Sequence, residues 1–430
     1  MRHLIHRSQL TGHRVVVVGA GRSGVAAARL AVELGAATRL VDSNPQALDK
    51  DTERMLSGLR VDVELGEHRA EQFRAADLII LSPGIPKAAL NHVLPPPGSV
   101  PVLSELEVAS WFVSEPIIAV TGTNGKTTTA SLIHHLLAQI GRASFLGGNI
   151  GTPLSEYVVS GEEKGVLVLE VSSFQLQNTD SFRPKVGLLL NFSPNHLDYH
   201  QSLAEYFECK LRLFHRQSEE DLAILPLELK DTLERARSWS SRRVYFTDRG
   251  RFVCPRLPGP HNRANMEAAF LACKPFGASE EDADRAFASF EPFPHRLQPF
   301  EEKDGVLFVD DSKGTTLTSL EAALKSFDRP ILLLAGGRFK GGDPEELREL
   351  VGRKVRRAGL FGESRDLLYA AWSDATEAYR EESMERAAQR MAQLAEKGDV
   401  VLLSPAGSSF DAYSGYKERG LAFQKVVREL

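Results

Sequence analysis

This chain of 430 residues has few cysteines, no long apolar run and a small net charge. Its three cysteines, Cys209, Cys254 and Cys273, form no Cys-x-x-Cys pair, which favours an intracellular, reducing compartment. No apolar run approaches the ~18 residues of a membrane span. The first fourteen residues lack an apolar core, so we expect no signal peptide. A net charge of −5 gives no electrostatic argument for nucleic acid as the main partner.

The bulk composition is that of a globular protein. The chain is 42% hydrophobic and 25% charged, as expected for a soluble protein, and its length is enough for two or three domains. Residues 94–105, with the sequence LPPPGSVPVLSE, are the best candidate for a linker.

The most informative stretch is residues 117–137. An apolar run at 117–120 leads into a polar, glycine-bearing loop, and leucine and isoleucine then recur at helical spacing from Leu132. Such a strand–loop–helix unit points backbone N–H groups at a bound anion. Lys126 can reach the β- and γ-phosphates of a nucleotide, and the hydroxyl of Thr127 can bind Mg²⁺. An ordinary turn with a chance lysine is the alternative, which we disfavour because Gly-Lys-Thr stands where the strand ends and the helix begins.

A second glycine-rich turn follows the first predicted strand, residues 14–18. Gly19–Gly24 reads GxGxxG, and a second strand ends at Asp42, which together form the dinucleotide fingerprint. A UDP-sugar also offers a pyrophosphate and a ribose, so these residues alone leave NAD and a UDP-sugar both open. The Ser82-Pro83-Gly84 turn after the strand at 78–81 is expected near the same crevice, although a plain turn is nearly as well supported.

Several polar residues of the middle third follow predicted strands. Glu170 ends an apolar run, and His196 lies in the loop after the strand at 186–190, where sites of parallel sheets gather. Lys210 lies on a predicted helix at 202–214, and the sequence alone favours a solvated lysine there. Asn262 and Asn265 are one helical turn apart, which suits a purine ring or, alternatively, a helix N-cap.

The last third again alternates strands and helices. Strands predicted at 306–309, 331–334 and 400–403 indicate a parallel α/β unit. The polar segments after these strands are each compatible with a capped turn, but together they indicate one binding edge. Its lysines suit a substrate that carries carboxylates.

Taken together, the motifs resemble those of the Mur ligases over essentially the whole chain. The short loop GTNGKTT is shared with Mur ligases and folylpolyglutamate synthases, and the other matching runs are EVSSFQL, NHLDYH, GPHNRANMEAA, PHRL, DDSKGTT and LSPAGSSFD. The last two favour a member that adds D-glutamate. The resemblance implies an α/β protein of three domains: a Rossmann-like UDP-sugar domain at 1–102, a P-loop-type ATPase domain with a mostly parallel sheet at 103–295, and a Rossmann-like amino-acid domain at 296–430.

The activity implied by the resemblance is an ATP-dependent amide ligation that uses Mg²⁺. D-glutamate would be added to UDP-N-acetylmuramoyl-L-alanine through an acyl phosphate, in cytoplasmic synthesis of peptidoglycan precursors. The resemblance further implies a monomer, with neither nucleic acid nor membrane as a partner.

The resemblance also assigns residues to each ligand. ATP would contact Gly122, Thr123, Asn124, Gly125, Lys126, Thr127, Thr128, Asn262, Asn265, Arg296 and Asp311. The UDP-sugar would contact Gly21, Arg22, Ser23, Asp42, Ser43, Ser82, Pro83, Gly84 and Asn149. D-glutamate would contact Lys313, Thr315, Lys340, Ser409, Phe410 and Tyr416. The metal ligands would be Thr127, Glu170, His196 and Lys210, the last as a carbamate, and the catalytic residues would be Lys126, Glu170, His196 and Lys210.

Three positions depart from the family pattern. Asn195 replaces an acid before the histidine, Thr316 replaces an asparagine, and Tyr416 adds a hydroxyl to an aromatic contact. The first bears on the support of the metal site, and the others bear on D-glutamate affinity. Three rival functions are less well supported. They are a nicotinamide oxidoreductase built on Gly19–Gly24, a sibling ligase, against which the DDSKGTT and SPAGSSFD runs argue, and a non-catalytic UDP-sugar sensor, against which the intact metal and phosphate residues argue. The first leaves Lys126, Glu170 and His196 unexplained.

Overall fold

The computed structural model describes residues 10–195, 199–236, 239–292 and 294–430. In chain order, its strands are β1 (Arg14–Val18), β2 (Ala37–Asp42), β3 (Asp62–Leu65), β4 (Leu78–Leu81), β5 (Val102–Ser104), β6 (Ile117–Thr121), β7 (Ser144–Gly148), β8 (Val166–Glu170), β9 (Val186–Leu189), β10 (Leu222–Pro226), β11 (Arg242–Phe246), β12 (Gln298–Lys303), β13 (Val306–Asp310), β14 (Ile331–Gly336), β15 (Arg338–Phe339), β16 (Val355–Phe361), β17 (Glu377–Arg380) and β18 (Val400–Ser408). Its α-helices are α1 (Arg22–Glu33), α2 (Lys50–Gly58), α3 (Glu105–Ser110), α4 (Lys126–Gln139), α5 (Leu154–Ser160), α6 (Ser173–Gln177), α7 (Leu203–Leu211), α8 (Lys230–Ala236), α9 (Pro260–Cys273), α10 (Glu280–Ser289), α11 (Leu317–Leu324), α12 (Arg348–Lys354), α13 (Arg365–Trp372), α14 (Met384–Leu394) and α15 (Tyr416–Arg428).

The strands form three sheets in two compact units of the chain. The first unit runs up to Phe246 and includes Ala268–Ala278, and the second holds Thr247–Glu267 and Ser279–Leu430. The first unit contains two wholly parallel sheets, ordered β3-β2-β1-β4-β5 and β11-β10-β9-β6-β8-β7. The predicted three-domain α/β class with mostly parallel sheets is confirmed, with one sheet for each domain, whereas the bounds of the domains stay a prediction.

The second unit contains the third sheet, ordered β12-β13-β18-β14-β16-β17, with β15 paired to β18. Only β12 and β15 run antiparallel to their neighbours. The three strands predicted from the sequence, β13, β18 and β14, are neighbours at its centre. Their carboxyl ends therefore lie at one edge, as the polar segments after them indicated.

Buried aliphatic side chains explain why these segments are strands. Val15, Val17 and Val18 of β1 have no exposed surface, as in a parallel sheet covered on both faces. Gly24 of α1 is required by close packing, since a Cβ there would lie 1.7 Å from the carbonyl oxygen of Gly19.

Two details correct the expectations. Residues 102–104 are not linker but the edge strand β5 of the first sheet, and α3 follows directly. The helix expected at 202–214 ends as an α-helix at Leu211 and continues as a 3₁₀ turn, Arg212–Phe214. Among the helices within the described ranges, none is both long enough and apolar enough to cross a bilayer.

Candidate active site

The loop between β6 and α4 has the geometry of a phosphate-binding loop. Gly125 is the N-cap of α4 with φ +81°, and Gly122 has φ +150°, values that side-chain-bearing residues rarely adopt. Lys126, Thr127 and Thr128 form the first turn of α4, so their neighbouring N–H groups lie at a helix N-terminus. The predicted strand–loop–helix unit is confirmed, whereas ATP binding to it stays a prediction.

Glu170 connects this loop to the turn after β7. Its Oε2 accepts a 2.5 Å hydrogen bond from the Thr127 hydroxyl, and its Oε1 accepts one of 2.9 Å from Asn149 Nδ2. The side chain of Glu170 is only 3% exposed, so it is not a surface carboxylate. A buried carboxylate next to a hydroxyl at a phosphate loop is a hard-oxygen pair that suits Mg²⁺.

Two lysines lie at the same loop. Lys126 Nζ donates to the carbonyls of Gly122 at 2.9 Å and Thr123 at 2.8 Å, and Lys210 Nζ donates to Gly122 O at 2.8 Å. Lys210 is 1% exposed, which overturns the solvated lysine favoured by sequence alone. Burial, followed by repulsion from Lys126, lowers the pKa of Lys210 well below its usual value.

Asn191 is a residue of this site that the sequence did not single out. Its Oδ1 accepts from the N–H groups of Thr123 and Asn124 at 3.1 and 2.9 Å, and its Nδ2 donates to Asn124 O at 3.1 Å. The asparagine thus fixes the loop. Its position two residues after the end of β9, the neighbour of β6, is the only signal that would have revealed it.

His196 lies outside the described residues, so its predicted metal and catalytic roles stay predictions. Asn195 is the last described residue before it. Within the ranges the structure describes, no three side chains of His, Cys, Asp or Glu come together as a metal cluster. The fit to a metal therefore depends on the Thr127–Glu170 oxygen pair.

The glycine-rich loop after β1 borders a cavity of about 220 Å³ in the first unit. Six of the nine residues predicted for the UDP-sugar line it, as do Gly148, Gly151 and Pro153; the six are Gly21, Arg22, Ser23, Ser82, Pro83 and Asn149. The Ser82 hydroxyl donates to Gly19 O at 3.1 Å and so joins the turns after β1 and β4.

Three predicted UDP-sugar residues do not line this cavity in the described chain. They are Asp42, Ser43 and Gly84. The Asp42 carboxylate accepts hydrogen bonds from Ala20 N at 2.7 Å and Asn44 N at 2.8 Å, so it holds the glycine-rich loop. A neighbouring cavity of about 380 Å³ shares Gly21 and Arg22, and its walls include Leu48, Arg29 and Glu156.

Asp311 and its neighbours form a buried polar group in the second unit. Asp311 Oδ2 accepts from the Ser404 hydroxyl at 2.8 Å, and its Oδ1 accepts from Leu297 N at 3.2 Å. Burial raises the pKa of Asp311 to about 7, although these hydrogen bonds and the charge of Arg296 act in the opposite sense. Arg296 and Asp311, both predicted for the nucleotide, are therefore close enough to interact.

Asn262 and Asn265 lie inside α9 and are about 5% exposed. Asn265 Nδ2 contacts Asn262 Oδ1 at 3.3 Å, and Asn262 Nδ2 donates to Pro258 O at 2.8 Å. Since α9 begins at Pro260, neither is the N-cap. The structure thus pairs them, while their contact with a purine stays a prediction.

The residues predicted for D-glutamate lie on the loops after β13, β14 and β18 and at the start of α15. Lys340 Nζ lies 3.4 Å from the Thr315 hydroxyl, and Lys313 Nζ lies 5.3 Å from the centre of the Tyr416 ring. Ser409 is 2% exposed, and the adjacent Phe410 is 64% exposed. The structure therefore brings two lysines to this edge, as the binding-edge prediction requires.

Thr316 is one of the departures from the family pattern. Its hydroxyl caps α11 by accepting from Ser319 N at 3.2 Å. Threonine and asparagine are both preferred N-caps, so the helix keeps its cap although threonine replaces asparagine here.

Family models match most of the chain. The model for the Mur ligase MurD-like N-terminal domain matches residues 13–93, the Mur ligase middle domain matches 120–253, and the Mur ligase glutamate ligase domain matches 295–407. The chain therefore belongs to the Mur ligase family.

Curated relatives are similar over nearly their full length. The UDP-N-acetylmuramoylalanine--D-glutamate ligase of Desulfovibrio desulfuricans is 50% identical over 423 residues, 97% of each chain. That of Lawsonia intracellularis is 47% identical and covers 97% of this chain and 94% of its own. Among solved structures, the MurF ligase of Thermotoga maritima in complex with ADP has a TM-score of 0.61 at 17% identity, covering 99% of this chain and 96% of its own, which shows the shared fold.

Proposed function

We propose that this chain is an ATP-dependent ligase that joins the amine of D-glutamate to the carboxylate of UDP-N-acetylmuramoyl-L-alanine. The observation that carries the proposal is 50% identity, over 97% of both chains, to a relative named for that reaction. The local geometry agrees with it, because a phosphate loop, a buried carboxylate and a buried lysine meet within one unit of the fold. We further propose that the reaction serves peptidoglycan precursor synthesis in the cytoplasm.

The chemistry requires activation, because a carboxylate resists attack by an amine. Transfer of the γ-phosphoryl group of ATP to the carboxylate oxygen gives an acyl phosphate and ADP. The D-glutamate amine then attacks the acyl carbon, phosphate leaves, and the amine loses a proton. His196 is our candidate for the acceptor of that proton.

Neutralising charge is the main task of the protein in phosphoryl transfer. We assign Lys126 and the loop from Gly122 to Thr128 to the phosphates, with the N–H groups at the start of α4 as donors, because those of Thr123 and Asn124 are held by Asn191. The ammonium of Lys126 lies at the loop, where it donates to two carbonyls whose place phosphate oxygens would take. In the second unit, Asn262, Asn265, Arg296 and Asp311 are assigned to the rest of the nucleotide.

Thr127 and Glu170 would hold one Mg²⁺, and His196 with a carbamylated Lys210 would attend a second. The donor set fits, because hydroxyl and carboxylate oxygens are hard ligands. When bound, Mg²⁺ supplies charge that stabilises the transferring phosphoryl group. The protein contributes the position of both oxygens, which the 2.5 Å Thr127–Glu170 contact fixes in advance.

The carboxylates of D-glutamate would be recognised in the second unit. Lys313 and Lys340 supply positive charge there, while Thr315, Ser409, Phe410 and Tyr416 complete the assigned set. The UDP-sugar is assigned to the cavity beside Gly21, Arg22 and Ser23 in the first unit, with Asn149 at its muramoyl end.

Release of ADP tests the function directly. The purified protein is given Mg²⁺, ATP and a panel of UDP-muramoyl acceptors and amino acids. We expect ADP only when UDP-N-acetylmuramoyl-L-alanine and D-glutamate are both present. Release with another amino acid would indicate a sibling ligase, and release with no combination would overturn the proposal. In a ligand protection assay on the same protein, protection by NADH rather than by the UDP-sugar would favour the oxidoreductase.

A further inference from the structure

Arg419 of α15 is a fully buried arginine outside every predicted ligand set. Its exposed fraction is 0%, so its guanidinium touches protein groups rather than a ligand. Nε donates to the Ser312 hydroxyl at 3.0 Å, and Nη2 donates to Ser312 O at 2.8 Å. Both terminal nitrogens also lie 3.2 Å from Gly407 O. One side chain thus ties the loop after β13 to the end of β18.

A third loop passes close to the same guanidinium. A Cβ added to Gly337, just after β14, would lie 3.0 Å from Arg419 Nη1 and 2.3 Å from Ser408 O. The backbone of that loop therefore approaches closely because residue 337 is glycine. The three loops that meet at Arg419 carry Lys313 with Thr315, Lys340, and Ser409 with Phe410.

The Ser312 hydroxyl extends this contact to the start of α15. While accepting from Arg419 Nε, it donates to Tyr416 O at 2.8 Å. Asp310 fixes the same serine from the other side, since its Oδ1 accepts from Ser312 N at 2.9 Å. Five of the six residues assigned to D-glutamate are thus on segments that Arg419 bonds directly or through Ser312, and the sixth, Lys340, is on the loop of Gly337.

We propose that Arg419 is a positioning residue for the part of the site that binds the amino acid. It holds three loops in the arrangement that presents two lysines to a dicarboxylic amino acid. This inference rests on the proposed function. A guanidinium suits the task because its planar fork of five donors can bond two separate carbonyls and a hydroxyl at once. An ammonium donates from a single point and cannot span the same groups.

Arg419→Lys tests this inference, because it keeps the charge and removes the fork. We expect the KM for D-glutamate to rise about tenfold, as for the loss of one hydrogen bond to a charged group. The KM values for ATP and for the UDP-sugar are expected to stay within about twofold of the wild-type values. The substitution displaces only the loops of the second unit that are assigned to the amino acid.

Arg329→Lys is the matched control. Arg329 also donates to three carbonyls, those of Gly398 at 2.7 Å, Gly305 at 2.7 Å and Asp399 at 3.0 Å. These groups lie before β13 and β18, at the opposite ends of the same strands. A merely structural role for Arg419 predicts similar effects of both changes on KM. Equal KM values for D-glutamate in the two variants would therefore overturn the inference.

Ser312→Ala decides the question if Arg419→Lys does not fold. It removes only the hydroxyl shared by Arg419 and Tyr416, and we expect a selective but smaller rise in the KM for D-glutamate. Where Arg419→Lys does fold, the effects of the two changes should not add in the double variant, because both break one network. An unchanged KM in folded Ser312→Ala overturns the inference. If the wild-type protein itself releases no ADP with D-glutamate, the proposed function fails and the inference fails with it.

Discussion

The hydroxyl of Thr127 donates a 2.5 Å hydrogen bond to the carboxylate of Glu170. The two residues are 43 positions apart and meet because β6 and β8 are parallel neighbours. Both are at most 5% exposed, so this oxygen pair is held inside the protein. Preorganisation of this kind removes the cost of assembling the groups when the reaction occurs.

Removal of the Thr127 hydroxyl should abolish most turnover. Thr127→Val keeps the shape of the buried side chain but leaves Glu170 Oε2 without its donor and removes one oxygen ligand. We expect kcat to fall by about 100-fold, a loss typical of one electrostatic group at a reacting centre. Thr127→Ser, which keeps the hydroxyl, is the control and should retain most activity in the ADP assay. Equal activity of the valine and serine variants would contradict the role of the hydroxyl.

Loss of the Asn191 amide should weaken ATP binding. In Asn191→Ala, the N–H of Asn124 loses its acceptor, and the N–H of Thr123 keeps only the backbone carbonyl of residue 191, at 3.2 Å. The loop thereby gains freedom that ATP binding must remove. We expect the KM for ATP to rise about tenfold. Ser193→Ala is the matched control, because Ser193 contacts Thr123 through its backbone N and O, which the substitution keeps. A normal KM for ATP in Asn191→Ala would show that the loop needs no such support.

The comparison of Glu170 with Asn191 shows what the sequence could reveal. Glu170 was found because an apolar run ending in an acid is a local pattern, and so was the loop around Lys126. The role of Asn191 depends on strand order, since β9 follows β8 in the chain but pairs with β6. Strand type and direction can be read from local patterns, whereas lateral order in a sheet cannot.

Lys210 illustrates a second limit. Its helix carries both polar and apolar side chains around Tyr206–Lys210, so periodicity alone did not place the lysine inside. The buried ammonium of Lys210 is satisfied by a hydrogen bond to Gly122 O, 88 residues earlier in the chain. A long-range contact of a polar group leaves no mark in the residues beside it. The resemblance to the Mur ligases supplied the role that the local residues did not.

Turnover should depend on carbon dioxide through Lys210. Burial and Lys126 lower the pKa of Lys210, which raises the fraction of neutral amine that can add CO₂ and lose a proton. We expect Lys210→Ala to lose most turnover while still binding ATP in equilibrium titration. Lys230→Ala, at an exposed lysine of α8, is the control. Wild-type activity that survives CO₂ depletion, with no response to bicarbonate at high pH, would refute the carbamate.

Asp311 should make the protein less stable as the pH rises. Burial raises its pKa from 3.8 to about 7, so between these values the folded chain holds a proton that the unfolded chain has lost. The stabilisation is complete below about pH 4 and is lost as the pH rises through about 7, with an upper bound of about 4 kcal/mol. Chemical denaturation from pH 4 to 8 should show a smaller decline in Asp311→Asn than in the wild type. Asp328→Asn, at a fully exposed carboxyl, controls for the loss of one charge. Parallel curves of unfolding free energy against pH for Asp311→Asn and the wild type would disprove the raised pKa of Asp311.

Gly420 should be intolerant of even one added methyl group. It lies inside α15, where a Cβ would come within 2.2 Å of His295 Nδ1 and 2.7 Å of Asp310 Oδ2. Overpacking typically costs about 1–3 kcal/mol, which exceeds the helical advantage of alanine over glycine, about 1 kcal/mol. Gly352 of α12 is the matched control, because its Cβ would meet nothing nearer than 3.4 Å, so Gly352→Ala should leave stability equal or higher. Urea denaturation at pH 7 measures both, and a Gly420→Ala protein as stable as Gly352→Ala would show that α15 can move away from the His295–Asp310 pair at no cost.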